Sequence, residues 1–98
     1  MKSHVFFRVV RTDRSEQYLI WDGDIRVGHL HLHYSYDIVY MTLALEIDMT
    51  KEEKDDLVDE IDDTIISSAS PPYDRHALNV TILRASDADT YTIGNAGD

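Results

Sequence analysis

The chain has 98 residues, a formal net charge of −10 and no cysteine. That length holds one domain with a modest core. The charge disfavours general contact with nucleic-acid phosphates, and the missing cysteines exclude disulfides, thiolate metal sites and thiol chemistry.

No run of about 18 apolar residues is present to span a membrane. The opening Met1-Lys2-Ser3-His4, followed by an apolar run broken at Arg8 and Arg11, does not follow a signal-peptide plan, so the expected location is the cytoplasm. Asn79-Val80-Thr81 matches a glycosylation sequon, which without secretion is a chance match. Aspartate outnumbers glutamate and lysine is scarce. The plain reading of that acidity is solubility, and the specific one is a surface for a basic partner.

His4 to Thr12 is rich in β-branched and aromatic residues and reads as a first strand, with Val5, Phe7 and Val9 on one face and Phe6, Arg8 and Val10 on the other. Asp13-Arg14-Ser15 is a turn and Gln17 to Trp21 a short second strand. Asp22-Gly23 is the strongest hairpin signal, because glycine takes the positive φ that such turns require.

The long stretch from Asp24 to Asp48 then reads as two antiparallel strands around a turn at Ser35-Tyr36 and Asp37. Leu30, Leu32 and Tyr34 share one side of the third strand, and His29, His31 and His33 share the other. In the fourth strand Val39, Met41, Leu43, Leu45 and Ile47 share a side. Burial of the aliphatic rows together places Leu32 opposite Val39 and Leu30 opposite Met41, with the histidines facing Ile38, Tyr40 and Thr42. Ile25 and Val27 have the parity of the histidines. A bulge at Gly28 would turn them to the aliphatic side.

Thr50 opens a helix expected to run to about Ser67. Thr50 and Glu53 form a capping box, Met49 could staple onto Lys54 or Leu57, and Leu57, Val58, Ile61 and Ile65 make one apolar stripe. Ser67 to Pro72 stops the helix. Ala77 to Ala85 is a fifth strand, with Leu78, Val80 and Ile82 on one face, joining the sheet either antiparallel at an edge or parallel. After Ser86 the chain is small and polar, with Tyr91 and Ile93 as a brief extended segment and a loose end from Asn95 to Asp98.

The expected architecture is therefore α+β, a β-β-β-β-α-β antiparallel sheet with one helix packed on one face, occupying residues 1–86 and followed by a loosely ordered tail over 87–98. This order of elements is similar to that of small antitoxin-like domains of partial RNase H type, a likeness of architecture alone. One helix cannot cover both faces of five strands. The face bearing Phe6, Val10, Ile38, Tyr40 and Thr42 is expected to form an interface, most simply a homodimer through a sheet face or edge; otherwise it is a wet face of the kind antiparallel sheets allow.

Two groups of residues carry chemical leads. The His29, His31 and His33 row suggests a divalent metal such as zinc. Neighbours two apart on a strand sit about 6.6 Å apart and the whole row spans about 13 Å, so only two converge on one ion. A further ligand would come from Glu46, Asp37, His4 or His76. At a two-fold interface such a row would also make association pH-sensitive. The ordinary alternative is a half-polar face with histidine packed beside Tyr40 and Thr42.

The second lead is the acidic helix, where Asp55, Asp56, Asp59, Asp62 and Asp63 stand with Glu52, Glu53 and Glu60. It reads as a solvated face, or as a surface that opposes a basic partner or mimics a phosphate backbone.

No catalytic motif is present: there is no G-x-S-x-G, phosphate-cradling glycine loop, dinucleotide fingerprint or H-E-x-x-H. Asp22 and Asp24 read as turn formers, and Tyr73-Asp74-Arg75-His76 as an exposed loop. Three functions follow in order of expectation: a self-associating interaction module that binds another protein, a metal-binding protein or metal-dependent enzyme built on the histidine row, and an acidic antitoxin-like inhibitor.

Overall fold

The computed structural model describes residues 4–68, 77–85 and 93–94. Four strands come first: β1 (Val5–Arg11), β2 (Ser15–Asp22), β3 (Ile25–Tyr34) and β4 (Ile38–Leu45). Helix α1 (Lys51–Thr64), a 3₁₀ turn over Ile66–Ser68 and β5 (Ala77–Arg84) follow. The strands form one sheet in the order β1-β2-β3-β4-β5. The first three pairings are antiparallel, and β5 runs parallel to β4. This is the expected α+β class, with a mixed, mostly antiparallel sheet.

The parallel last pairing has a physical origin in α1. Parallel neighbours need a crossover, usually a helix. The helix has 14 residues and spans about 21 Å. An eight-residue strand such as β4 spans about 26 Å. The helix thus carries the chain back to the end of the sheet where β4 began, and β5 starts opposite Ile38.

The capping box forms as expected: the Glu53 amide donates to Thr50 Oγ1 at 3.1 Å and the Thr50 amide donates to Glu53 Oε1 at 2.8 Å. At the other end the Ser67 hydroxyl donates to the carbonyls of Asp62 at 2.6 Å and Asp63 at 3.0 Å. These carbonyls belong to the last turn, which has no further helical amides to bond. The α-helix accordingly ends at Thr64, short of Ser67.

Leu57 and Ile61 are fully buried in one cluster with Ile20, Leu30, Leu32, Met41, Leu43 and Leu45, and Ile65 and Ile66 join it. Val58 is only partly buried. Each such side chain taken out of water contributes about 1.5–3 kcal/mol. A polar clamp adds to the apolar contact. The His4 amide donates to Glu60 Oε2 at 2.7 Å, and the His4 ring Nδ1 lies 2.7 Å from Glu60 Oε1.

The central hairpin keeps the expected faces but not the expected partners. Tyr34 lies opposite Val39, Leu32 opposite Met41 and Leu30 opposite Leu43. The strands therefore continue two residues nearer the turn, which the Ser35 amide closes onto the Ile38 carbonyl at 2.9 Å. A shift of two residues leaves every side chain on its own face. The histidines accordingly face Tyr40, Thr42 and Ala44, in the order His33, His31, His29.

Two bulges decide which residues change sides. In the β2–β3 pairing Ile20 lies opposite Gly28 and Trp21 opposite Arg26, so Val27 is the surplus residue. Val27 turns into the core with 1% exposure, whereas Ile25 stays 55% exposed. The expected bulge near Gly28 thus brings Val27 into the core; Ile25, opposite Asp22, also comes to the core side of the sheet but lies beside the turn, beyond the buried cluster.

The second bulge, at Val9, was not legible. Arg8 pairs with Tyr18 and Val10 with Gln17, which leaves Val9 over. As a result Phe6, opposite the buried Ile20, packs against the core while Val10 points to the other face. Phe6 is therefore not part of the face that carries Val10, Tyr40 and Thr42.

The loop at Tyr73–His76, Tyr91 and the expected tail from 87 to 92 and 95 to 98 lie outside the described residues. Ile93 belongs to no strand and is 84% exposed. Among the described residues no helix is long and apolar enough to cross a membrane.

Candidate functional site, an open face of the sheet

The face opposite the core is set by strand parity together with the two bulges. It carries Val5, Phe7 and Val10 from β1, Gln17, Leu19 and Trp21 from β2, and the three histidines from β3. Tyr40, Thr42 and Ala44 come from β4, and Thr81 and Leu83 from β5. Several large apolar side chains on it are open to solvent: Phe7 at 63%, Val5 at 60%, Leu83 at 52% and Val10 at 40%. At its centre lies a shallow depression of about 370 Å³ lined by Val9, Val10, Gln17, Leu19, His29, His31, Thr42 and Ala44.

The electrostatics of this face differ from those of the rest of the chain. Here Glu46 is held by Arg26, whose Nε and Nη2 donate to Oε1 at 3.1 and 3.0 Å. His29 Nδ1 stands 3.3 Å from Glu46 Oε2, a polar contact without hydrogen-bond geometry. The negative charge gathers elsewhere. On α1, Asp55, Asp56, Asp59 and Asp63 are exposed and Asp62 is partly so, with Lys51 reaching Asp55 at 3.1 Å.

The histidine row lies on the open face as expected. His29 is half-buried, and His31 and His33 are exposed. The His33 ring sits 6.3 Å from that of Tyr40 at a tilt of 40°. Of the further ligands considered, Glu46 is engaged by Arg26, His4 is clamped to Glu60, and His76 lies outside the described residues. Among the described residues no group of three or more histidine, aspartate or glutamate side chains converges as a metal site would. Asp22 and Asp24 flank Gly23, whose φ of 63° makes the turn as expected.

Sequence reasoning missed a second polar centre, on the core side. Glu16 is buried at 6% exposure. Its carboxylate accepts from the Tyr18 hydroxyl at Oε1 and from the Tyr34 hydroxyl at Oε2, the latter at 3.0 Å. Arg8 Nη1 stands 3.8 Å from Oε1. Burial, then the hydrogen bond to Glu16 and its negative charge, push the Tyr18 phenol up from 10.0 to about 12. A signal was present: Glu16 and Tyr18 share the parity of Ile20, so a carboxylate stood in a core row. With two hydroxyls and a guanidinium around it, Glu16 reads as a satisfied buried group that anchors β2 to β3.

Comparison with family models, with curated proteins and with solved structures finds no match to this chain.

Proposed function

We propose that this protein is a small acidic interaction module that self-associates and acts by binding another protein, with the open face of the sheet as its contact surface. The observation that carries the reading is the exposure of Val5, Phe7 and Val10, neighbours along β1 on a face where Glu46 is already paired. Single exposed apolar residues are ordinary, but a contiguous set marks an interaction site.

The dimensions suit that role. Five strands are about 24 Å wide and eight residues about 26 Å long. The product is about 600 Å², near the roughly 800 Å² that a stable interface takes from each partner. A chain of net charge −10 repels acidic partners at long range. This face is where a neutral surface can approach with the fewest charges to desolvate. The cytoplasm is the proposed place of action.

Sedimentation at micromolar concentration tests the self-association: a species heavier than 11.3 kDa is expected, and a clean monomer at all concentrations removes that half of the reading. Phe7→Glu tests the face. It should weaken association with little effect on folding, because Phe7 is 63% exposed.

A further inference from the structure

Exposed apolar side chains are not spread evenly over this sheet. Val5, Phe7, Val9 and Val10 all belong to β1, which pairs only with β2 among the described residues. An edge strand with a free row of amides and carbonyls, rich in valine and phenylalanine, is a template for another strand. Natural edges are usually blunted by charge, proline or bulges. In β1 the bulge at Val9 blunts only the second half, leaving Val5 to Arg8 regular.

The geometry points to a second copy of this chain as the occupant: two β1 strands pair antiparallel about a two-fold axis beside Phe7, making one ten-stranded sheet. This inference rests on the proposed self-association and names its mode. A two-fold axis between identical antiparallel edge strands stands perpendicular to the sheet, so directly opposed residues must come from the same face. Phe6 and Arg8 lie on the core side, and Val5 and Phe7 on the open side. The allowed registers are thus centred on a single residue.

Centring on Arg8 sets two guanidinium groups directly opposite, which destabilises a strand pair. Centring on Phe7 places Phe7 against its own copy on the open face, and Arg8 of each strand opposite Phe6 of the other, an arrangement open to a cation–π contact. The pairing then runs from Val5 to the bulge at Val9, where regular strand geometry ends. β1 holds no carboxylate, so the charge of each copy stays away from the seam. The two open faces become continuous across Phe7, Val5 and Leu19, doubling the surface offered to a partner.

The cysteine-free chain makes the test direct. Single variants Phe7→Cys, Arg8→Cys and Thr42→Cys are treated with a short bifunctional thiol reagent, and the native chain is followed by amide hydrogen exchange as concentration is raised. The expected result is efficient cross-linking through Phe7→Cys, little through Arg8→Cys or Thr42→Cys, and concentration-dependent protection of β1 amides in the native chain. Phe7→Lys should weaken self-association by roughly a hundredfold, because two charges meet at the seam, while leaving the circular dichroism spectrum unchanged.

A dimer that cross-links through Thr42→Cys, with β1 amides unprotected, overturns the edge pairing and leaves self-association standing as a face-to-face contact. Dominant cross-linking through Arg8→Cys overturns the register. A monomer by sedimentation removes both the edge pairing and the self-association beneath it.

Discussion

His4 and Glu60 clasp each other with two contacts of 2.7 Å: the backbone amide of His4 donates to one carboxylate oxygen, and its ring nitrogen meets the other. The pair links the residue before β1 to the middle of α1, across 56 positions of sequence. Both side chains are nearly out of solvent, at 6% and 14% exposure. Removing the carboxylate would strand a buried amide and an imidazole. Glu60→Ala is expected to cost about 1–3 kcal/mol, and Glu60→Gln less, because the amide oxygen still accepts. Urea denaturation of both variants checks the order; equal stability of Glu60→Ala and the native chain would count against the clamp.

Gly28 and Gly23 are glycines for different reasons, and the two should respond differently. A Cβ on Gly28 would stand 2.2 Å from the Ala44 carbonyl oxygen and 3.0 Å from Leu45 Cα, both backbone atoms that cannot swing away. Gly28→Ala should therefore force β3 and β4 apart and cost about 2–3 kcal/mol. Around Gly23 a Cβ meets nothing within 4 Å, and the demand there is the φ of 63° alone. Gly23→Asn should cost well under about 1 kcal/mol, because asparagine tolerates that conformation. Thermal melting of the two variants side by side makes the comparison.

The alkaline limit of the fold should depend on Tyr18. Its phenol is raised from 10.0 to about 12 in the folded protein by burial and by Glu16. Between those values the unfolded chain releases the proton and the folded chain keeps it. The folded state then binds more protons, so stability falls as pH rises. This contribution is fully present below pH 10 and is lost as pH climbs through about 12. Tyr18→Phe should flatten that part of the stability curve, and at neutral pH it should cost roughly 1–2 kcal/mol because Glu16 loses a donor. Denaturant midpoints from pH 8.5 upward, for both proteins, give the answer.

Substitutions on the open face should separate association from folding. Leu83 and Tyr40 are exposed at 52% and 45%, so charged replacements there should change folding stability by no more than about 0.5 kcal/mol. Replacing Leu57 or Ile61, each fully buried, by alanine should cost about 2–5 kcal/mol. If Leu83→Glu unfolds the protein as Leu57→Ala does, the face is part of the core and not an interaction surface. Sedimentation and urea denaturation on the same samples distinguish these results.

Much of this architecture could be read from local pattern. The alternation from Leu30 to Tyr34 and from Val39 to Leu45 is a period of two, and the burial of those rows follows from it. Thr50 and Glu53 are three residues apart and cap their helix without help from the rest of the chain. Asp22-Gly23 turns because of one glycine's freedom. The histidine row fell on the open side for the same reason of parity. The errors arose where parity is broken. The bulge at Val27 was signalled by the neighbouring Gly28, but Val9 is a surplus residue in its strand, and nothing in valine announces a bulge.

Sequence by itself determined the number and kind of elements, the side on which each aliphatic row lies, and the acidic character of α1, because these depend on residues close together in the chain. Tertiary structure alone decided that β5 lies parallel beside β4, that Phe6 turns inward while Val10 turns outward, and that Glu16 finds two tyrosine hydroxyls. Each of these is a pairing between distant segments, selected by which arrangement buries apolar surface while leaving few buried polar atoms stranded, and no local period encodes that choice.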